Sequence, residues 1–220
     1  MDYRIDACIE RRGTDSAKWC RYDDDVIPLW VADMDFPSPE PVVRALRERV
    51  EHGVFGYGVE PPELRGVITD RLLRLYGWSV DPASLIFIPG VVTGFNLACH
   101  IIGIPNAGVS MQTPIYHPML QAPANSGLKL HDTQLVRRSD GRYEFDFDTL
   151  ESAITPQTRL LMLCNPHNPV GRVYRRDELE RLADICLKHD LLICSDEIHC
   201  DILFTGANHI PIASLAPEIG

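Results

Sequence analysis

The sequence predicts an α/β fold built on a mostly parallel sheet with helices on both faces. Three observations predict it. Apolar runs of strand length recur at residues 85–88, 108–112, 128–135, 159–164 and 191–195. Stretches with apolar residues at helical spacing alternate with them. Four of the runs give way to polar loops, at 89–94, 113–118, 165–171 and 196–199, the first three bearing glycine or proline. Parallel strands place such loops on one edge of the sheet, where ligands bind in open α/β folds.

The elements follow in order. Residues 1–37 lack periodicity but carry Trp19, Trp30 and Phe36, which predicts an ordered arm. Glu40–His52 has Val42, Val43, Leu46 and Val50 at helical spacing, Pro41 in its first turn and Gly53 after its end. A glycine-rich loop, residues 53–58, carries Tyr57. Residues 63–76 form a second amphipathic helix, with Leu64, Val67, Ile68, Leu72 and Leu75 on one face and Gly77 as C-cap. Then come strand 85–88, helix 95–102, strand 108–112, helix 119–125 and strand 128–135. Asp148 is placed to cap a helix reaching Ile154. Strand 159–164, helix Arg176–Lys188 and strand 191–195 complete the series. The expected division is an N-terminal arm with the first helix over 1–50 and an α/β domain over 51–220.

The chain has 220 residues, 45% hydrophobic and 24% charged, enough to bury a core. A net charge of −10 without a basic cluster argues against nucleic acid and anionic membranes as partners. The start, M-D-Y-R-I-D, lacks the apolar centre of a secretory signal, and no apolar run spans a bilayer. Seven cysteines without a C-x-x-C pair read as reduced and mostly core, so a cytoplasmic location is expected.

The candidate chemistry sits in the loops. N-P-H-N-P-V-G at 165–171 and S-D-E-I-H at 195–199 each follow an apolar run. An amide and a carboxylate there can hold a heteroaromatic ring, Asn168 bonding a ring hydroxyl and Asp196 a protonated ring nitrogen. Taken alone, an aspartate after a strand is more often a cap. G-V-V-T-G at 90–94 opens a helix, whose free N–H groups suit a phosphate. It matches neither the dinucleotide nor the nucleotide-triphosphate glycine pattern, and taken alone is more often a plain helix start. Tyr116 reads as a packing residue and Tyr57 as a loop anchor. His117 and His167 are possible bases, with a surface or capping role as default. His199, Cys200 and Asp201 diverge along the chain and lack zinc-like spacing, so no metal is expected.

Together the 165–171 and 195–199 motifs resemble fold-type-I pyridoxal-phosphate (PLP) enzymes, the aspartate aminotransferase superfamily. The string W-V-A-D-M-D-F at 30–36 and the variants N-P-H-N-P-V-G and S-D-E-I-H resemble its cystathionine β-lyase-like (carbon–sulfur lyase) branch. The resemblance runs the length of the chain. It implies the large PLP-binding domain of that fold and PLP as cofactor. Backbone amides of Val91, Val92 and Thr93 would hold its phosphate, and Tyr116 would stack on its ring. Asn168 would bond the ring hydroxyl and Asp196 the ring nitrogen. His199 stands where many relatives carry a tyrosine that bonds the ring hydroxyl. Tyr57 would reach the phosphate of a neighbouring subunit, which implies a homodimer. Ala32, Asp33 and Asn168 would border the substrate, a sulfur-containing amino acid.

The implied activity is β-elimination, giving a thiol, pyruvate and ammonia. A class I/II aminotransferase is the alternative, and a non-catalytic PLP-binding or partner-binding fragment a second one. The family's cofactor-anchoring lysine follows the S-D-E-I-H motif, and the resemblance places it beyond Gly220. Lys18, Lys129 and Lys188, the only lysines, do not match it. The expectation is therefore an incomplete large domain, without its C-terminal small domain, that is inactive by itself.

Overall fold

The computed structural model describes residues 5–7 and 9–215. Three of the sequence readings fall outside them: the first four residues, Cys8, and the stretch 216–220 that ends at Gly220, beyond which the anchoring lysine is expected. The chain forms two compact units, one through Glu60 and one from Pro61.

In the first unit, α1 (Glu40–His52) has Pro41 in its first turn. It stops at Gly53, whose φ of +73° lets its N–H close on Val50 O at 3.0 Å. The arm before α1 is organised by polar contacts. Asp35 accepts from Lys18 Nζ, Trp19 Nε1 and Arg11 Nη1, each at 2.7 Å, and Arg11 also pairs with Asp33 at 2.9 Å.

The second unit holds α2 (Leu64–Tyr76), α3 (Val91–Ile102), β1 (Gly108–Thr113), α4 (His117–Asn125) and β2 (Lys129–Gln134). A short hairpin follows, β3 (Val136–Arg137) with β4 (Tyr143–Glu144). Then come α5 (Phe147–Ser152), β5 (Thr158–Cys164), α6 (Arg176–Lys188) and β6 (Leu192–Asp196). The main sheet has the order β2-β1-β5-β6, and its three pairings are all parallel.

Strand alternation sends side chains into two cores. Val109, Met111, Leu160 and Met162 pack with Phe95 and Cys99 of α3 and Met119 and Ala122 of α4. Leu161 and Leu163 pack on the other face with Leu150 of α5 and Leu179, Leu182 and Ile185 of α6. Each such leucine, at most 2% exposed, contributes roughly 1.5–3 kcal/mol of burial. Gly108 is needed for the close spacing of β1 between its neighbours. A Cβ there would lie 2.5 Å from His131 Cε1 and 3.1 Å from Thr158 Cα.

Several expected elements differ. Residues 85–88 are not a strand. Their backbone makes no ladder, and Ile86, Phe87 and Ile88 are 82%, 47% and 41% exposed. Apolarity supplies a strand's face but not its hydrogen-bonding neighbour. Here Arg65 of α2 takes the carbonyl of Leu85 at 2.8 Å instead. α3 begins at Val91, not at Phe95, because Gly90 with φ +119° lets the chain turn straight into the helix, and Gly94 N bonds Gly90 O at 3.2 Å. Asp146, not Asp148, caps α5, accepting from Thr149 N at 3.0 Å, and α5 ends at Ser152. The β3–β4 hairpin has no counterpart among the expected elements; its two-residue strands are too short to show a period. No described helix is long and apolar enough to cross a membrane.

Candidate active site

The parallel sheet brings the ends of β1, β5 and β6 to one edge. Cys164 and Asp196, the last residues of β5 and β6, are register partners, and Asn165 N bonds Asp196 O at 2.9 Å. Asp196 is 7% exposed, and its carboxylate accepts one bond, from Ile198 N at 3.1 Å. Burial raises its pKa and Glu197 adds to that. The Ile198 N–H and the nearby His199 act the other way. A buried carboxylate with so little compensation favours a cationic partner, and a protonated ring nitrogen fits that requirement.

Asn168 lies in the loop after β5. Its N–H approaches Cys164 Sγ at 3.4 Å, and the loop closes through His167 N to Arg172 O at 2.8 Å. Asn168 and His199 line one cavity of about 470 Å³, walled by Ile202, Leu203 and Phe204 on its apolar side. Tyr116, at the N-cap position of α4, is half-buried against the core shared by α3 and α4. Val91, Val92 and Thr93 form the first turn of α3. No side chain caps this end, so its first N–H groups are available to an anion. Val92 and Thr93 line a second depression of about 460 Å³ with Asn96, Leu97, His100, Asn125 and Ser126. The structure thus brings Asn168 and His199 into one cavity and sets Asp196 at the end of β6, beside the start of the Asn168 loop but not in that cavity's lining. It does not put the α3 turn in the same cavity as Asn168.

Tyr57, Ala32 and Asp33 belong to the other unit. Tyr57 is fully exposed, and the Asp33 carboxylate is engaged by Arg11. Among the lysines, Lys18 is buried against Asp35. Lys129 is the first residue of β2, and Lys188 ends α6 where it pairs with Glu151 at 2.6 Å. The first residues of parallel strands lie on the edge opposite Asp196, so Lys129 is remote from the site.

Sequence reasoning misses the polar framework beneath these residues. The default surface or capping role for His167 does not hold: the residue is 2% exposed and bonded on both ring nitrogens. Asn165 accepts from Tyr174 N at 3.1 Å. Glu197 receives Ser195 Oγ and His209 Nε2, both at 2.9 Å. The signal available is position: His167 and Asn165 sit inside a motif whose neighbours face a ligand, and such residues need fixing.

A parallel α/β sheet that carries a buried aspartate at the end of β6 and an asparagine in the loop after β5 is the arrangement expected of the PLP-enzyme class. The comparisons with known proteins agree. The model for aminotransferase class I and II matches residues 24–220, and the chain belongs to that family. Cystathionine beta-lyase PatB of Bacillus subtilis is 39% identical over 215 residues, covering 95% of this chain and 55% of PatB. Cystalysin from Treponema denticola, solved with pyridoxal 5'-phosphate, superposes with a TM-score of 0.90 at 32% identity, over 100% of this chain and 57% of cystalysin. The PLP-bound C–S lyase from Staphylococcus hominis gives 0.89 at 34%, over 99% and 57%. The chain thus spans about half the length of the relatives it matches. The cofactor of the family is pyridoxal 5'-phosphate.

Proposed function

We propose that this chain forms the cofactor-holding part of a PLP-dependent carbon–sulfur β-lyase. Its substrate is a sulfur-containing amino acid of the cystathionine type, and its products are a thiol, pyruvate and ammonia. The observation that carries the reading is Asp196, buried at a strand end with its carboxylate open to a cation. Similar proteins that are themselves named lyases favour lyase over aminotransferase.

PLP supplies an electron sink for the charge left when the substrate's Cα proton departs. The chain's residues prepare that sink. Asp196, ionised, keeps the ring nitrogen protonated. Asn168 donates its amide to the ring oxygen, with His199 in the same cavity. Tyr116 covers a ring face, and the N–H groups of Val91, Val92 and Thr93 receive the phosphate. Tyr57 reaches the phosphate site of a second copy, so the working form is a homodimer. Ala32 and Asp33 border the substrate carboxylate, with Arg11 balancing the Asp33 charge. The covalent anchor is not among Lys18, Lys129 and Lys188, and the reading assigns it to a lysine beyond Gly220. This chain by itself binds PLP reversibly and does not turn substrate over.

The test compares pyruvate release from cystathionine by the full-length enzyme with and without a keto-acid acceptor. Pyruvate without acceptor supports the lyase; turnover only with acceptor overturns it in favour of an aminotransferase. Asp196→Ala in the same enzyme is expected to lower kcat by several orders of magnitude, each pKa unit lost at the ring being about 1.4 kcal/mol. Near-normal turnover by that variant removes Asp196 from the assigned role. For the chain alone, borohydride reduction after adding PLP is expected to label no lysine stoichiometrically.

A further inference from the structure

The motif residue His167 borders the cavity beside Asn168 and has no part in the proposed chemistry, yet it is 2% exposed and all four of its polar atoms are used. Its N–H bonds Arg172 O and its carbonyl accepts from Gly171 N, both at 2.8 Å, which closes the turn carrying Asn168. Its Nε2 lies 2.8 Å from Pro114 O, in the loop that carries Tyr116. Its Nδ1 lies 2.8 Å from the hydroxyl of Tyr174, itself 1% exposed. A carbonyl only accepts, so Nε2 carries the proton. In the neutral ring Nδ1 is then the acceptor and Tyr174 the donor.

We propose that His167 is a positioning residue: in its neutral, Nε2-protonated form it latches the Tyr116 loop to the Asn168 loop and so sets the spacing of the stacking ring and the amide around PLP. The proposal rests on the PLP reading above. The same network reaches the third wall. Asn165 takes Tyr174 N on its Oδ1, and its own N–H holds Asp196 O at 2.9 Å. One connected set of buried bonds therefore runs from Pro114 through His167, Tyr174 and Asn165 to Asp196. It joins the ends of β1, β5 and β6.

The latch has one working protonation state. The groups around the ring are Pro114 of the Tyr116 loop, Cys164 of β5, and Arg172 and Tyr174 of its own loop; Glu178 of α6 stands behind them, paired with Arg172. Burial holds the His167 pKa below its ordinary value, and the Arg172 charge works in the same direction. Protonation would turn Nδ1 into a donor facing the Tyr174 hydroxyl, which must then reverse inside a closed core. The latch's contribution to PLP affinity is therefore present at neutral pH and is lost only once pH drops below the ordinary histidine value of about 6.5.

The experiment uses the full-length protein freed of cofactor, with PLP itself as the probe. Nitrogen-15 NMR of the histidine rings is expected to show one Nε2–H tautomer that stays neutral as pH passes below about 6.5. The signal is assigned to His167 by its loss in the variants. His167→Gln places an N–H near the Nε2 position and retains the bond to Pro114 O, so it should hold PLP nearly as wild type does. His167→Asn is too short to reach Pro114 O and is expected to bind PLP about tenfold more weakly, the scale of one buried bond. Tyr174→Phe should move the pH at which PLP affinity falls upward, because the neutral ring loses its Nδ1 partner. Glutamine and asparagine variants with equal, wild-type PLP affinity, or a His167 ring in the Nδ1–H form, overturn the latch and leave the PLP reading standing. A wild-type protein that does not bind PLP overturns both.

Discussion

Helices α1 and α6 each have thirteen residues and apolar side chains at helical spacing, yet α6 buries six of its residues and α1 buries none. The difference is one of available partners. α6 follows β5 after the loop 165–175 and lies on the face that presents Leu161 and Leu163, so Leu179, Leu182 and Ile185 pack there. Val42, Leu46 and Val50 of α1 are 49%, 61% and 65% exposed. Amphipathicity states that a helix has an apolar face. It does not state what covers it.

The largest expected effect breaks this comparison most directly. Leu182→Ala, at a site 0% exposed, is expected to cost about 2–5 kcal/mol in a denaturant melt. Leu46→Ala on α1 is expected to stay within about 0.5 kcal/mol at low protein concentration. A Leu46→Ala cost that grows with protein concentration would show a second copy covering α1. Equal costs at every concentration would remove the contrast.

The two glycines that bound these regions sharpen it at a smaller scale. Gly53 ends α1 with φ +73°, in the left-handed region, and Gly53→Ala is expected to cost about 1–2 kcal/mol. Gly90 starts α3 with φ +119° and ψ 156°, a region nearly closed to other residues. Gly90→Ala is expected to cost about 1–3 kcal/mol although the new methyl meets nothing within 4 Å. It should also weaken binding of PLP through the α3 turn, whereas Gly53→Ala should not. A neutral melt for Gly90→Ala would show that the turn relaxes without strain.

The same contrast explains what was legible in the sequence. Helices α1 and α6 have the bounds their period and end signals predict. The parallel sheet followed from apolar runs alternating with helices. The failures share a cause: they depend on neighbours. Residues 85–88 carry a strand's composition but lack a ladder. Asp146 and Asp148 both precede a turn of helix, and only the geometry selects Asp146. In the candidate site, Asn168 and Asp196 stand out in the sequence because each belongs to a specific motif at or just after an apolar run. The Pro114–His167–Tyr174–Asn165 network was not, since its bonds join residues up to 53 positions apart. No local period records a contact of that kind.

Two aspartates carry the comparison to its smallest expected effect. Asp35, in the arm, is surrounded by donors, and its bonds to Lys18, then Trp19 and Arg11, hold its carboxyl far below the ordinary 3.8. Asp196 has one donor, and burial lifts its carboxyl above 3.8. The signs of their contributions are opposite. Asp35 stabilises the fold above pH 3.8, and that contribution is lost as pH falls through its depressed value. Asp196 costs stability as pH rises from 3.8 through its raised value, and the cost is complete once pH is above that value. Asp196→Asn retains an oxygen for Ile198 N without the buried charge. The cofactor-free variant is therefore expected to melt slightly above wild type at pH 7, with the difference vanishing in acid, while its affinity for PLP falls. Asp35→Asn should loosen the arm at pH 7. Its readout is local: the Trp19 indole N–H should lose protection from exchange while the sheet melts as before. An Asp196→Asn protein less stable than wild type at pH 7 would mean that the carboxylate already has its cation before PLP arrives.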